Sequence, residues 1–144
     1  MAKTKPASWY EQSGVVPYRT IDVETEVLLI TSVKKGNWIV PKGIVEPGYS
    51  PAESAIKEAL EEGGVVGQVV GSSLGAYEQE KWGGVCRVHM FAMTVHEQLD
   101  HWPEAHVRQR QWLPIEEAAE AVAKAELGAM IRKLADRLGT SGEI

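Results

Sequence analysis

One stretch decides the fold: PKGIVEPGYSPAESAIKEALEEGGV, residues Pro41–Val65, in which a glycine-rich loop leads into a helix with both ends marked. Ser50, followed three residues later by Glu53, is typical of a capping box, and Pro51 suits the first helical position. The pair Gly63–Gly64 predicts the end of the helix, because a glycine adopts the left-handed conformation there at little cost. Most residues between these signals are alanine, glutamate or leucine, which favour a helix.

Helical spacing predicts two faces on this helix. The apolar face gathers Ala52, Ala55, Ile56, Ala59 and Leu60. The acidic face gathers Glu58, Glu61 and Glu62, three and four residues apart. Like charges at this spacing destabilise a helix, and so do anions near its C-terminus. A bound cation would relieve both penalties, and carboxylate oxygens suit Mg²⁺ or Mn²⁺. A solvent-exposed glutamate-rich face, which is common, is the alternative.

The whole stretch resembles the Nudix box, G-x5-E-x7-R-E-U-x-E-E-x-G-U, in which U is an aliphatic residue. Laid from its first glycine, the pattern matches Gly43, Glu58, Glu61, Glu62, Gly64 and Val65. Ala59 is a weak match to the first U. Tyr49 stands where the pattern has Glu, and Lys57 stands where it has Arg. In the family these two residues pair and hold the helix against the loop, so the two changes can be coupled. Glu53, four residues before Lys57, offers that side chain another partner.

The resemblance implies a metal-dependent hydrolase and a role for each acid. Glu58 and Glu62 would ligate Mg²⁺ or Mn²⁺ together with a backbone carbonyl near Lys42 or Gly43. Glu61 would act as the catalytic base. The reserve bases are Glu78 and Glu80. A bound metal would offset phosphate charge and lower the pKa of a bound water, which is the help that phosphoanhydride hydrolysis needs.

The rest of the chain predicts a mixed layout of strands and helices. Strands are predicted at Ser13–Arg19, Glu26–Thr31, Trp38–Val40, Val65–Tyr77, Cys86–Val95 and Val107–Leu113. Pro17 predicts an interruption of the first strand, at an edge or a bulge. Glu78–Gly84 is predicted to be a hairpin loop. Pro114 opens a helix that runs to about Ala123, and a second amphipathic helix ends at Gly139.

These elements indicate an α/β (α+β) protein, and the resemblance implies the Nudix fold, a mixed β-sheet sandwiched between α-helices. The length predicts one domain over residues 1–144, with a polar lead-in over about residues 1–10.

The likeness also extends to a branch of the family, the diphosphoinositol polyphosphate and diadenosine polyphosphate hydrolases. The shared features are Trp38-Ile-Val-Pro before the box, Arg87, and the late run Arg108-Gln-Arg110-Gln-Trp112. The substrate would then be a dinucleoside polyphosphate or a diphosphoinositol polyphosphate. Members that act on inositol pyrophosphates carry extra basic residues before the first strand, where this chain has Trp9–Ser13, so the inositol compounds are the weaker candidates.

Basic residues that could bind phosphates are Lys42, Arg19, Arg87, Arg108 and Arg110, since arginine suits bidentate contacts. Trp82, in a predicted loop beside two glycines, could stack on a base or pack over the cleft.

Composition excludes some classes of function. The chain carries 15 basic and 20 acidic residues, a net charge of −5, which argues against a protein that coats nucleic acids. A single cysteine fits a reducing compartment, and no apolar run suggests a signal peptide or a membrane span. We therefore expect a cytoplasmic protein. The alternatives in function are a nucleotide-binding module without catalysis and a Nudix hydrolase of nucleoside triphosphates or ADP-ribose.

Overall fold

Seven strands and three helices build the structure, a computed structural model that describes residues 9–142 and the side chains of residues 10–139. The predicted lead-in therefore lies mostly outside the described residues. The strands are β1 (Trp9–Ile21), β2 (Glu24–Thr31), β3 (Trp38–Ile39), β4 (Lys42–Ile44), β5 (Val65–Lys81), β6 (Gly84–Gln98) and β7 (Arg110–Pro114). The helices are α1 (Pro51–Glu58), which continues into a π-helical turn (Ala59–Gly63), α2 (Ile115–Ala121) and α3 (Ala125–Gly142).

The strands form one mixed sheet in the order β3-β2-β1-β6-β5, with β4 paired to β1 and β7 paired to β2. The β1–β6 pair is parallel and the other pairs are antiparallel. One face of the sheet buries a core against α2 and α3, and the other face buries a smaller core against α1. The predicted architecture, a mixed sheet between helices, is confirmed. No helix within residues 9–142 has the length and apolar character needed to cross a membrane.

The start of α1 is the capping box that the sequence predicts. The Glu53 N–H donates to Ser50 Oγ at 3.1 Å, and the Ser50 N–H donates to Glu53 Oε1 at 2.9 Å. The end is also as predicted, at Gly64, whose φ of 66° is left-handed.

The π-helical turn between these ends was not predicted, and it changes one face of the helix. Ala55 and Ala59 are fully buried as expected, but Leu60 is 37% exposed. Leu60 therefore does not share the burial of Ala55 and Ala59, with which it was predicted to lie on one face. Such turns inside helices are often found at functional sites.

Pro17 neither interrupts its strand nor lies at the edge of the sheet, so that prediction is wrong. It is buried within β1 and pairs in register with Met93 of β6. On the opposite side of β1, pairing with β4 ends at Gly14 and pairing with β2 begins at Tyr18. The Val15 N–H faces this side, where it donates to Pro41 O, and Pro17 faces it too because strand residues alternate. The missing proline N–H thus falls in a gap of the ladder.

The predicted loop at Glu78–Gly84 is a tight hairpin. β5 continues to Lys81 and β6 begins at Gly84, which leaves two residues in the turn. Their φ angles are both positive, 55° at Trp82 and 73° at Gly83, as in the turns that match the twist of paired strands. Gly139 does not end α3, which runs to Gly142, because a glycine with ordinary helical dihedrals weakens a helix without terminating it.

Candidate active site

A cleft of about 950 Å³ opens beside β4, between the β2–β3 turn, the β5–β6 hairpin and the start of α3. Four of the sequence-predicted site residues line it: Lys42, Gly43, Glu62 and Arg108. Sequence reasoning missed ten further polar or aromatic residues of the lining: Gln12, Ser32, Lys34, Lys35, Asn37, Trp38, Tyr77, Gln79, Lys81 and Lys124. The cleft therefore joins the acidic end of the box helix to cations from several distant parts of the chain.

The carboxyl groups of Glu58 and Glu62 lie within hydrogen-bonding distance of each other at the end of the box helix. Burial is the main reason that both pKa values are raised, and that of Glu62 rises from 4.5 to about 8. Two neighbouring carboxyls with raised pKa values share a proton more readily than they bear two charges. A divalent cation is the natural replacement for that proton, because it neutralises both carboxylates.

The loop of the box lies directly against this pair. A Cβ built at Gly43 would collide with the Glu58 carboxylate, so only a glycine allows the approach. The Lys42 N–H donates to Glu62 Oε1 at 3.1 Å. The two acids are therefore in direct contact with the backbone of the loop.

This group fits a divalent metal that retains other ligands. Within residues 9–142, no three His, Cys, Asp or Glu side chains are gathered into a complete metal cage. Mg²⁺ typically keeps several waters and takes one or two carboxylates together with substrate phosphates. Glu58 and Glu62 can supply the carboxylates, and the loop can supply a backbone carbonyl.

Lys57 shows how the chain accommodates its two departures from the box. Its ammonium lies 2.8 Å from Glu46 Oε2 and 3.2 Å from Glu61 Oε2, and 5.8 Å from the ring centroid of Tyr49. Glu53 is occupied in the capping box and is not the partner of Lys57. Lys57 thus connects the helix to the loop through Glu46, so this link is preserved with different residues. These ion pairs raise the Lys57 pKa above its ordinary value.

The candidate bases occupy three different positions. Glu61 is paired with Lys57 and does not contribute to the lining of the cleft. Glu80 does line the cleft. Glu78 lies outside it, 4.0 Å from Arg87.

The last turn of the box helix is capped by the loop formed by residues 99–110, which we call the collar. Four successive backbone carbonyls accept hydrogen bonds from it. The donors are the Glu104 N–H to Glu61 O (3.1 Å), Trp102 Nε1–H to Glu62 O (3.0 Å), the Arg110 guanidinium to Gly63 O (2.9 Å) and the Leu99 N–H to Gly64 O (2.8 Å). Helix ends leave such carbonyls unpaired, so the collar completes the helix.

Arg108 and Arg110, both predicted to bind substrate, have different positions. Arg108 is only 10% exposed at its side chain and lies 3.5 Å from Glu62 Oε2, while it also donates to Glu104 Oε1 and to Thr31 O. It is a buried counter-ion at the cleft. Arg110 is outside the cleft lining, where its guanidinium caps the helix and stacks 3.8 Å from the centroid of the Trp102 ring.

The other predicted phosphate-binding residues also separate. Lys42 faces the cleft, donates to Gln12 Oε1 at 3.3 Å and has its pKa lowered to about 8, chiefly by burial. Arg19 pairs with Glu26 at 2.9 Å and lies over the Trp112 ring, away from the cleft. Arg87 is also outside it. Trp82 lines the cleft at its rim and is 53% exposed. Both roles predicted for it, stacking on a base and packing over the cleft, need a position at the cleft.

Comparisons with known proteins agree with this geometry. The family model described as the NUDIX domain matches residues 12–134. Nudix hydrolase 17, mitochondrial, of Arabidopsis thaliana is 40% identical over 136 residues, which cover 88% of this chain and 74% of the relative. Diphosphoinositol polyphosphate phosphohydrolase 3-alpha of Mus musculus is 34% identical over 120 residues, 81% of this chain and 71% of the relative.

Some relatives are considerably longer than this chain. The match spans 66% of Nudix hydrolase 18, mitochondrial, and 60% of Nudix hydrolase 21, chloroplastic, both of Arabidopsis thaliana. Among solved structures, a binary complex of the C. elegans Ap4A hydrolase superposes with a TM-score of 0.77 at 26% identity, over 91% of this chain and 98% of that one.

Proposed function

Because the chain belongs to the Nudix domain family, we propose that it hydrolyses a phosphoanhydride bond in a polyphosphorylated small molecule, with Mg²⁺ or Mn²⁺ bound. One observation carries the proposal: Glu58 and Glu62 lie side by side at the end of the box helix, and Glu62 forms part of the wall of a cleft rich in cations. The six cations that line it are Lys34, Lys35, Lys42, Lys81, Arg108 and Lys124.

Each side chain has a defined task in this proposal. Glu58 and Glu62 hold the metal, together with a carbonyl of the loop at Lys42 or Gly43. The bound metal would supply charge neutralisation on the phosphates and a water of lowered pKa. Arg108 fixes the second oxygen of Glu62 from behind, and the lysines orient the phosphate chain.

The base that accepts the proton from water is Glu61, by resemblance to the family. Its Oε2 lies 3.2 Å from the Lys57 ammonium. Glu80, on the wall of the cleft, is the alternative. Individual replacement of the two acids by glutamine separates these roles, since the loss of the base lowers kcat in a pH-dependent way.

Dinucleoside polyphosphates are the substrates that we favour. Trp82, which is 53% exposed, presents an aromatic ring at the cleft beside the cations. Aromatic faces bind bases by stacking, whereas an inositol ring offers no such surface. Similar proteins carry names for both substrate classes, an Ap4A hydrolase and a diphosphoinositol polyphosphate phosphohydrolase. Cytoplasmic localisation stays a prediction.

The test is a screen of the purified protein against diadenosine polyphosphates, an inositol pyrophosphate, nucleoside triphosphates and ADP-ribose, with Mg²⁺, Mn²⁺ or excess chelator. We expect metal-dependent cleavage that Glu62→Gln removes and Glu24→Gln, a change of an exposed carboxylate on β2, does not. Full activity of Glu62→Gln at ordinary metal concentrations would contradict the metal site. Binding without cleavage by the folded wild-type protein would instead establish a nucleotide-binding module.

A further inference from the structure

Glu62 is anchored at both its side chain and its main chain, by different parts of the fold. The carboxylate is held by the Lys42 N–H at 3.1 Å and faced by Arg108 at 3.5 Å. The carbonyl oxygen accepts from the Trp102 indole N–H at 3.0 Å. The carboxylate contacts belong to the proposed metal site, but the indole contact has no part in ligand binding and needs its own explanation.

The π-helical turn explains why the main chain of Glu62 needs such an anchor. The last carbonyls of a helix have no partner within it, and Glu62 belongs to that last turn. The residue is 8% exposed, so water has little access to it. Without the indole, the carbonyl of a buried acid would lose its partner, and the turn would keep only three of its four hydrogen bonds to the collar.

The indole itself is held in place by its neighbours. The Arg110 guanidinium stacks 3.8 Å from its ring centroid, and Arg110 is in turn bound to Gly63 O at 2.9 Å and Leu99 O at 2.6 Å. A Cβ built at Gly64 would lie 2.8 Å from the Trp102 ring and 2.6 Å from the Arg110 guanidinium. Gly64, Trp102 and Arg110 therefore interlock, and the indole N–H points in a fixed direction.

We propose that Trp102 is a positioning residue, whose indole N–H sets the main-chain position of Glu62 and thereby the metal affinity of the acidic pair. The inference rests on the proposed function, because it assumes that Glu62 is a metal ligand. Trp102 is not among the residues that line the cleft. It acts through one hydrogen bond to the backbone of a ligand, in the way that outer partners tune metal sites.

The decisive variant is Trp102→Phe, which keeps an aromatic ring against Arg110 and removes the N–H donor together with part of the ring volume. Its matched control is Trp112→Phe, which removes another indole hydrogen bond, that to Gln98 Oε1 at 2.6 Å, whose acceptor lies outside the box helix. Mn²⁺ affinity is measured by electron paramagnetic resonance of the free ion, alongside thermal unfolding without metal and kcat and KM at saturating metal.

We expect Trp102→Phe to bind Mn²⁺ roughly three- to tenfold more weakly, the range for one hydrogen bond. Substrate KM at saturating metal should stay unchanged, because the cleft cations are untouched. Trp112→Phe should bind Mn²⁺ as the wild type does. If Trp102→Phe fails to fold, Arg110→Lys replaces it, since lysine keeps the charge and loses the planar stack that orients the indole. We expect weaker Mn²⁺ binding there too.

Glu62→Gln separates the two possible failures. If it binds Mn²⁺ as tightly as the wild type, Glu62 is no ligand, and both the proposed site and the role of Trp102 are overturned. If it weakens Mn²⁺ binding while Trp102→Phe and Trp112→Phe both match the wild type, the metal site stands and the inference about Trp102 is wrong.

Discussion

The two walls of the cleft are built in opposite ways. On the acidic wall, Glu62 is nearly buried, its carboxylate has two partners, and its carbonyl has a third. On the basic wall, the side chains of Lys34, Lys35 and Lys124 are exposed to solvent where they line the cleft. The difference indicates that the groups expected to do the chemistry are held fixed, while those expected to attract the substrate can move.

The largest effect on activity is expected from a substitution on the acidic wall at a position that has no space for a larger side chain. Gly43→Ala places a methyl group into the Glu58 carboxylate. We expect at least about a hundredfold loss of metal-dependent activity, since metal assistance contributes several kcal/mol to the transition state. Steady-state kinetics over a range of Mg²⁺ concentrations measures it.

Gly139→Ala is the control for Gly43→Ala, because a methyl group there meets no atom within 4 Å. Wild-type activity in Gly43→Ala, with the control also active, would show that the acidic wall can accommodate a methyl group and would contradict the prediction.

The next effect is a pH dependence that comes from Glu62 on the acidic wall. The Glu62 pKa is raised from 4.5 to about 8, so without metal the folded protein holds a proton there that the unfolded chain releases. This group therefore contributes less to stability as the pH rises from 4.5 to 8. A metal must displace the proton, so its affinity should increase by up to about tenfold per pH unit below 8. Calorimetric titration at pH 6, 7 and 8 measures the slope, and a flat profile would contradict it.

A smaller effect is expected on the basic wall. Lys124→Gln removes an exposed cation from the cleft. KM should rise about two- to fivefold, the range for an exposed charge pair, while kcat stays unchanged. The increase should fade at high salt, because exposed charges are screened. Kinetics at low and high ionic strength tests this, and a fall in kcat at constant KM would place Lys124 in the chemistry instead.

The smallest effect is expected from a cation outside the basic wall, and it tests which cations contribute to substrate binding. Arg87→Gln changes an exposed arginine that lies outside the cleft, 4.0 Å from Glu78. We expect KM to stay within about twofold of the wild type, because an exposed pair of this kind contributes little. A large increase in KM would restore the role in substrate binding that the sequence predicts for it.

Local signals in the sequence were sufficient for the box helix. The capping box at Ser50, the stop at Gly64 and the adjacency of Glu58 and Glu62 depend on residues only a few positions apart. The π-helical turn was not predictable in this way. It closes against hydrogen bonds from a loop some forty residues later, such as that from Trp102, 40 positions after Glu62.

It was harder to predict which cations line the cleft, because residue type and local sequence do not distinguish them. Arg108 and Arg110 are two positions apart on the same run, yet the first faces Glu62 and the second caps the helix. Lys34, Lys81 and Lys124 lie far apart in the sequence, and only the folded sheet brings them to one cleft. The β5–β6 hairpin is tighter than the predicted loop because Trp82 adopts a positive φ, which is uncommon for residues other than glycine.

The collar also has a consequence for the order in which the protein is made. The donor of Arg110 and the acceptor of Gly63 are separated by 47 positions, so the end of the box helix has to wait for a distant part of the nascent chain. On the ribosome, α1 can begin from its own cap long before residue 110 has been synthesised. The acids should gain their final arrangement only after β6 and the collar have emerged, and metal binding should therefore follow the synthesis of the collar.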